Sequence, residues 1–315
     1  MGATDRSLIE RLHVVTPQED LRQNEHAQDR DVVDLEAREV ALQRPEDLVD
    51  AHTERLRLLA IDLDLVLGSI LETALPHARE LAYASEHLTS IEINGTFYRT
   101  QTPATFAKWA KETPEGFVFS VKGVRYVTNR RVLAEAGESV DRFLKSGVLE
   151  LGDKLGPLLW QFTPTKKFDA NDFAAFLALL PKAMQGQTLR HVVEVRHASF
   201  CTPEFVALLR KHAIAVVFAE HDTYPGIADP VGDFIYARLQ KGDDNIETGY
   251  PPKELDAWAK RAEVWAKGGV PKDLAVVDAE HPAKAVARDV FLYVIHEGKV
   301  RAPAAAMELI KRVGT

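Results

Sequence analysis

The chain has 315 residues, 46% of them hydrophobic and 27% charged, an ordinary composition for a globular protein of one large or two small domains. No apolar run approaches the ~18 residues of a membrane span and no basic-then-apolar signal opens the chain, so a cytoplasmic protein without a membrane partner is expected. The single cysteine, Cys201, excludes an intramolecular disulfide and any multi-cysteine metal site, and with no charged helix context to activate it, it reads as buried.

The net charge of −8 is unevenly spread. Residues 1–75 hold 17 acidic residues against 8 arginines, with no lysine and no aromatic, whereas residues 76–315 hold 30 acidic against 31 basic residues and all 25 aromatics. The acidity therefore belongs to the front, and the remainder is near neutral with no general basic footprint for nucleic acid. Residues 1–55 read as an atypical acidic segment, helical or disordered, and residues 56–315 as the folded domain.

Leu56–Leu67 is apolar with Asp62 and Asp64 interleaved, a pattern that can serve as a first strand. From Pro76 a helical spacing (Ala78, Leu81, Ala82, Leu88) leads into the strand Ser90–Asn94. A helix over 103–112 with proline in its first turn is stopped by Thr113-Pro114-Glu115-Gly116, which opens the strand 117–122. The beat then repeats, with helices near 139–145, 171–180, 203–212, 252–267 and 303–313. Strands are predicted at 157–162, 191–196, 214–219, 234–239 and 290–295. Seven strands after residue 75, nearly all separated by helices, predict a parallel sheet. No strand is followed by a glycine-rich phosphate loop, which favours a TIM-like (β/α) barrel over an open nucleotide-binding sheet.

Side chains two apart on a strand share a face. That rule groups Glu92 with Asn94, Ser120 with Lys122, Val192 with Glu194 and Arg196, Phe234 with Tyr236 and Arg238, and Leu159 with Gln161. Each group becomes polar toward the C-terminal end of its strand, where barrels carry their active sites. On one strand alone, Glu194 with Arg196 and Glu92 with Lys122 read as structural ion pairs. The same asymmetry on four strands points to a pocket.

The stretch Ser90-Ile91-Glu92-Ile93-Asn94-Gly95-Thr96-Phe97-Tyr98 resembles the domain of unknown function 72 family, also called YecE-like. The resemblance continues through Trp109, Thr113-Pro114-Glu115-Gly116-Phe117, Val121-Lys122-Gly123, Leu151-Gly152-Asp153-Lys154-Leu155-Gly156-Pro157, Trp160-Gln161-Phe162 and Val193-Glu194-Val195-Arg196-His197. It is weaker through Tyr236-Ala237-Arg238-Leu239, Leu255-Asp256-Ala257-Trp258-Ala259 and the final helix. It implies a TIM-like barrel and no established reaction. Its motif residues fall on the inward polar set, and it adds His197, whose parity alone points the other way.

The chain departs from the family at the front. Members begin with a Gly- and Trp-rich first strand and a Gly-x-Phe-Tyr-Pro stretch before the Leu-Pro that opens the first helix. Here Leu75-Pro76 is present, but Gly68-Ser69-Ile70-Leu71-Glu72-Thr73-Ala74 stands where the aromatics belong.

Glu92, Lys122 and Glu194 are the candidate catalytic residues, and Asn94, Gln161, Arg196, His197, Tyr236 and Arg238 the candidate substrate contacts. Three cations beside two carboxylates favour a small ligand bearing phosphate or carboxylate. Glu92 or Glu194 is a general base if burial raises its pKa, with Lys122 steadying an oxyanion. No cofactor is identified. A metal-dependent alternative would recruit Glu92, Glu194 and Glu220 with His197 or His221, against the cations in the same pocket. The loop Arg125-Tyr126-Val127-Thr128-Asn129-Arg130-Arg131 keeps a nucleic-acid or phosphodiester-cleaving reading open. The altered front keeps a non-catalytic binding protein open. His191, His212 and His296 read as surface or strand-edge histidines, and Trp160 as packing behind the pocket.

A front segment translated out of the ancestral frame would produce the compositional break. Translating the gene around codons 55–75 in the other two frames is expected to yield a Gly/Trp-rich strand; if neither does, the segment is a genuine extension.

Overall fold

The computed structural model describes residues 56–60, 79–297 and 300–314. The predicted acidic segment 1–55 and the departure at 68–74 lie outside the described residues. So does all of the expected first strand beyond residue 60.

Eight parallel strands form one sheet: β1 Leu56–Ala60, β2 Ser90–Ile93, β3 Val118–Lys122, β4 Leu155–Gln161, β5 His191–Glu194, β6 Ala215–Glu220, β7 Phe234–Lys241 and β8 Asp289–Glu297. Their order is β1-β8-β7-β6-β5-β4-β3-β2. β1 pairs in parallel with β8, Leu56 opposite Val290, and its backbone also approaches β2 at the far end of the order. The sheet thus curls to a near-closed barrel, and the seven strands expected after residue 75 are all present.

Helices alternate with the strands except between β6 and β7: α1 Glu80–His87, α2 Pro103–Glu112, the single turn α3 Arg125–Thr128, α4 Gly137–Leu144, α5 Ala170–Ala178, α6 Pro203–His212, α7 Pro252–Ala266 and α8 Ala302–Val313. Their starts are chemically marked. Thr102 and Thr202 accept from the backbone N–H groups of Thr105 and Phe205, with proline following each, and Asp169 caps α5 through Asp172 N–H. Among the described residues no helix is long and apolar enough to cross a membrane.

The layer between strands and helices is aromatic. Phe162, Phe168, Phe173, Phe176, Phe200 and Phe205 interlock edge-on and tilted between β4, α5 and α6. Trp160 lies in this outer layer, fully buried, its indole N–H donating to His191 Nδ1 at 3.1 Å. Behind the β3 end, Gly123 donates its N–H to Leu159 O, and a Cβ there would meet the Trp160 ring at 2.4 Å. Only glycine lets β3 and β4 approach that closely beside Lys122.

Two sequence expectations change. His191 is buried rather than at the surface: its ring takes Trp160 on one side and Pro181 O on the other at 2.8 Å, and burial pushes its pKa down to about 4. Cys201 is exposed rather than buried, because Phe200 takes the inward position of the turn that precedes α6. Partial desolvation still raises its thiol pKa, so it is no activated nucleophile.

Candidate functional site

Inside the barrel, the alternation of β2, β5 and β7 brings Glu92, Glu194 and Arg238 to one point. Arg238 donates from Nη1 to Glu194 Oε2 at 2.6 Å and from Nη2 to Glu92 Oε1 at 2.9 Å, so one guanidinium spans two fully buried carboxylates. Each carboxylate has further donors. Tyr236 Oη donates to Glu92 Oε2 at 2.6 Å, while Gln161 Nε2 and Arg196 Nε reach Glu194 at 2.8 Å each. Below them Ser120 Oγ lies 2.9 Å from Tyr236 Oη, and Ser90 Oγ lies 3.0 Å from Tyr293 Oη.

This network reverses the expected role of Glu194. Burial alone would raise its pKa, but Arg196, Arg238, Lys122 and the Gln161 amide together hold its carboxyl well below the usual carboxylate range. It is a fixed anion, not a base poised near neutrality. Tyr236 is pushed the other way, by burial and by Glu92, and stays a phenol that donates. The Glu194–Arg196 pair foreseen on parity is present. Glu92, by contrast, pairs with Arg238 rather than with Lys122.

Lys122, at the C-terminal end of β3, is 4% exposed. Its Nζ donates to the amide Oδ1 of Asn94 at 2.7 Å and lies 4.2 Å over the Phe97 ring. Thr96 Oγ1 bonds both Lys122 O and Ile93 O, locking the β2 and β3 ends together. Burial, then the Arg238 charge, lowers the Lys122 pKa from 10.5 to about 7, against the pull of Glu92 and Glu194. It is the group in the cluster placed to change charge near neutral pH.

Across the mouth, Arg196 is only partly buried. Its guanidinium lies over Tyr224 at 4.6 Å, Tyr224 stacks on His221 at 3.8 Å, and both Arg196 Nη groups lack a hydrogen bond to any described residue. His197 Nδ1 accepts from Ser199 N–H at 3.1 Å and faces Ser199 Oγ at 2.9 Å, which puts the neutral-ring proton on Nε2. Glu220 is separate. Its oxygens accept from Tyr250 and Trp258, and burial raises its pKa. Among the described residues no group of three His, Cys, Asp or Glu side chains is placed to hold a metal.

Of the nine sequence-derived site residues, Glu92, Lys122, Gln161 and Glu194 lie at or one place from the end of their strands, Asn94, Arg196 and His197 just beyond, and Tyr236 and Arg238 within β7; eight share a direct hydrogen-bond network or the Lys122–Asn94 pair beside it. Ser90 and Tyr293 join the interior polar set beside Ser120, which parity groups with Lys122. The two serines precede Glu92 and Lys122 by two positions, and the same parity applied to the last strand selects Tyr293. The basic loop is less open than its composition suggests. Arg130 is tied to Ser139 Oγ at 2.8 Å, leaving Arg125, 5.6 Å over exposed Tyr98, as its stacked cation. A cavity of about 380 Å³ lies at the opposite, N-terminal end of the strands, lined by Arg190, Asp233, Arg288 and Asp289. There Arg190 is neutralised by Asp289 at 2.8 Å and packed on Phe234 and Phe291, the work of a stabilising face.

A family model described as "Protein of unknown function DUF72" matches residues 63–315. Crystal structures of a DUF72 family protein from Enterococcus faecalis (TM-score 0.58, 16% identity, 82% of this chain and 97% of that one) and of another from Thermotoga maritima (TM-score 0.59, 18% identity, 81% and 98%) share the fold. No curated protein matches the chain.

Two stability measurements follow from the charges. Arg238→Met removes the cation shared by two buried carboxylates, leaving Glu92 with no ion-pair partner, and is expected to cost about 3–5 kcal/mol in urea denaturation, most of it recovered by adding Glu92→Gln and Glu194→Gln. For Lys122, the unfolded chain holds a proton between pH 7 and 10.5 that the folded chain has lost, so its burial penalty is full below pH 7 and fades as pH rises. Lys122→Met is thus expected to stabilise the protein most at or below pH 7, with the advantage shrinking by about 1.4 kcal/mol per pH unit above it.

Proposed function

The chain belongs to the DUF72 family, and from that premise and the polar barrel mouth we propose an enzyme that acts by acid–base chemistry on a small anionic substrate bearing phosphate or carboxylate. The observation that carries this reading is Lys122, buried with a pKa of about 7, across the mouth from the free Nη donors of Arg196. A base works best with a pKa near the operating pH, and a guanidinium with two open donors suits a bidentate oxyanion.

In this reading Glu92 and Glu194 hold charge rather than move protons. They fix Arg238 and orient Arg196 through its Nε, leaving the outer edge of the fork for the ligand. Lys122, as the free amine, takes the proton, and Asn94 Oδ1 holds the resulting ammonium in place. A bound anion raises the Lys122 pKa, so the base gains strength when the substrate arrives. Gln161, His197 and Tyr236 complete the wall.

Calorimetric titration with sulfate, which does not itself titrate here, tests the arrangement. Binding at pH 7.5 is expected to draw a proton onto Lys122, seen as a buffer-dependent enthalpy that Lys122→Met abolishes. Arg196→Met is expected to weaken binding roughly tenfold or more. Equal affinity in Arg196→Met, or binding with no proton uptake, would overturn the reading.

A further inference from the structure

We infer that Lys122 is also a nucleophile, forming an imine with an aldehyde or ketone that carries a phosphate or carboxylate held by Arg196. This rests on the acid–base reading of the same site and names its substrate class.

Four features of the mouth lead there. First, every oxygen of the two carboxylates already accepts from at least one charged or phenolic donor, which holds both as buried, paired anions. Second, the Lys122 nitrogen is held by a neutral amide oxygen, and no described carboxylate lies within 4 Å of it to stabilise the ammonium as an ion pair. Losing its proton therefore breaks no salt bridge. Third, Arg196 keeps its charge at any accessible pH and commits only Nε to Glu194, so holding the anion does not require Lys122 to remain charged. Fourth, the lysine is pinned at its backbone by Thr96 while Asn94, Phe97, Arg196 and Tyr224 around the mouth stay partly open to solvent. A desolvated lysine beside other cations is the environment in which amines act as nucleophiles toward carbonyls.

The step balances without a redox partner. The Nζ lone pair attacks the carbonyl carbon, the C–N bond forms, and the carbonyl electron pair moves to oxygen, which takes a proton from nitrogen. The nitrogen lone pair then forms C=N as the C–O bond breaks, and the oxygen leaves as water with the second nitrogen proton. Amine and carbonyl become imine and water.

Reductive trapping tests it. The full chain is incubated with pyruvate and cyanoborohydride at pH 7.5 and the modified lysine is mapped by peptide mass spectrometry. An amine of pKa 7 offers roughly a hundredfold or more free base over a surface lysine at that pH, and even after its lower intrinsic nucleophilicity Lys122 is expected to react roughly tenfold faster than any exposed lysine. Acetone, which has no anionic group, is expected to label Lys122 much more slowly than pyruvate. Replacing pyruvate by dihydroxyacetone phosphate distinguishes a carboxylate from a phosphate handle. Lys122→Met is expected to lose the fast adduct, and mapping in the unaltered chain keeps the test valid should that variant fold poorly. Labelling spread over surface lysines, or equal labelling by acetone, overturns the inference. If the sulfate titration shows Lys122-dependent proton uptake and no trapping occurs, the nucleophile falls and the base stands. If both fail, both fall.

Discussion

A single buried guanidinium organises this barrel. Arg238 lies between Glu92 on β2 and Glu194 on β5, strands on different sides of the interior, and no other described side chain bonds both. Burying three charges is costly, and the arrangement is tolerable because Tyr236 and Arg196 satisfy the remaining carboxylate oxygens while Gln161 adds a second donor to Glu194 Oε2. One donor is still orphaned: Arg238 Nε is buried without a partner among the described residues. The bridge therefore fixes how β2, β5 and β7 face one another across the interior, and it determines which groups at the mouth keep chemical freedom. Every oxygen of both carboxylates already accepts from a donor inside the network. The lysine beside it, receiving two positive neighbours and a neutral hydrogen-bond partner, is the group left able to titrate.

The two ends of the barrel use the same residue types to different effect. At the N-terminal end Arg190 meets Asp289 directly, has Asp233 at 3.8 Å and is stacked on two rings, so its charge is matched locally. At the C-terminal end Arg238 is spent on two carboxylates, and Arg196 shares one of them through Nε alone. Arg196 gives one donor to Glu194 and leaves two outward. Oriented guanidinium donors without a partner are what an anion recognises; a matched pair offers it little.

Much of this was legible in the sequence because strand parity is a strict rule. Once the strands at 90, 117, 191 and 234 were placed, the alternation put Glu92, Lys122, Glu194, Arg196, Tyr236 and Arg238 on one side, and the structure brings them together. Parity could not say which cation meets which carboxylate, because partners on different strands are set by stagger and tilt around the barrel. Hence Glu92 was paired with Lys122, the nearest cation along the order, when Arg238 reaches it from across the interior. The direction of the Glu194 shift was illegible for the same reason: burial is a property of one residue, whereas three converging donors are a property of the fold. His191 misled because a histidine at a strand start reads as an edge residue until Trp160 is seen to lie against it.

The closure of the sheet follows a similar logic. The family match starts at residue 63, yet the strand beside β8 is Leu56–Ala60, upstream of that match. A parallel edge accepts any extended segment whose backbone can present its donors and acceptors in register, so the requirement at this position is one of hydrogen bonding more than of particular side chains. The polar site makes the opposite demand. Its residues come from β2 to β7 and the turns after them, where replacing one donor changes the charge state of several neighbours at once. A barrel built this way tolerates an unusual first strand while remaining intolerant of change at Arg238, since the strand supplies backbone pairing and the guanidinium fixes which of its neighbours can hold or release a proton.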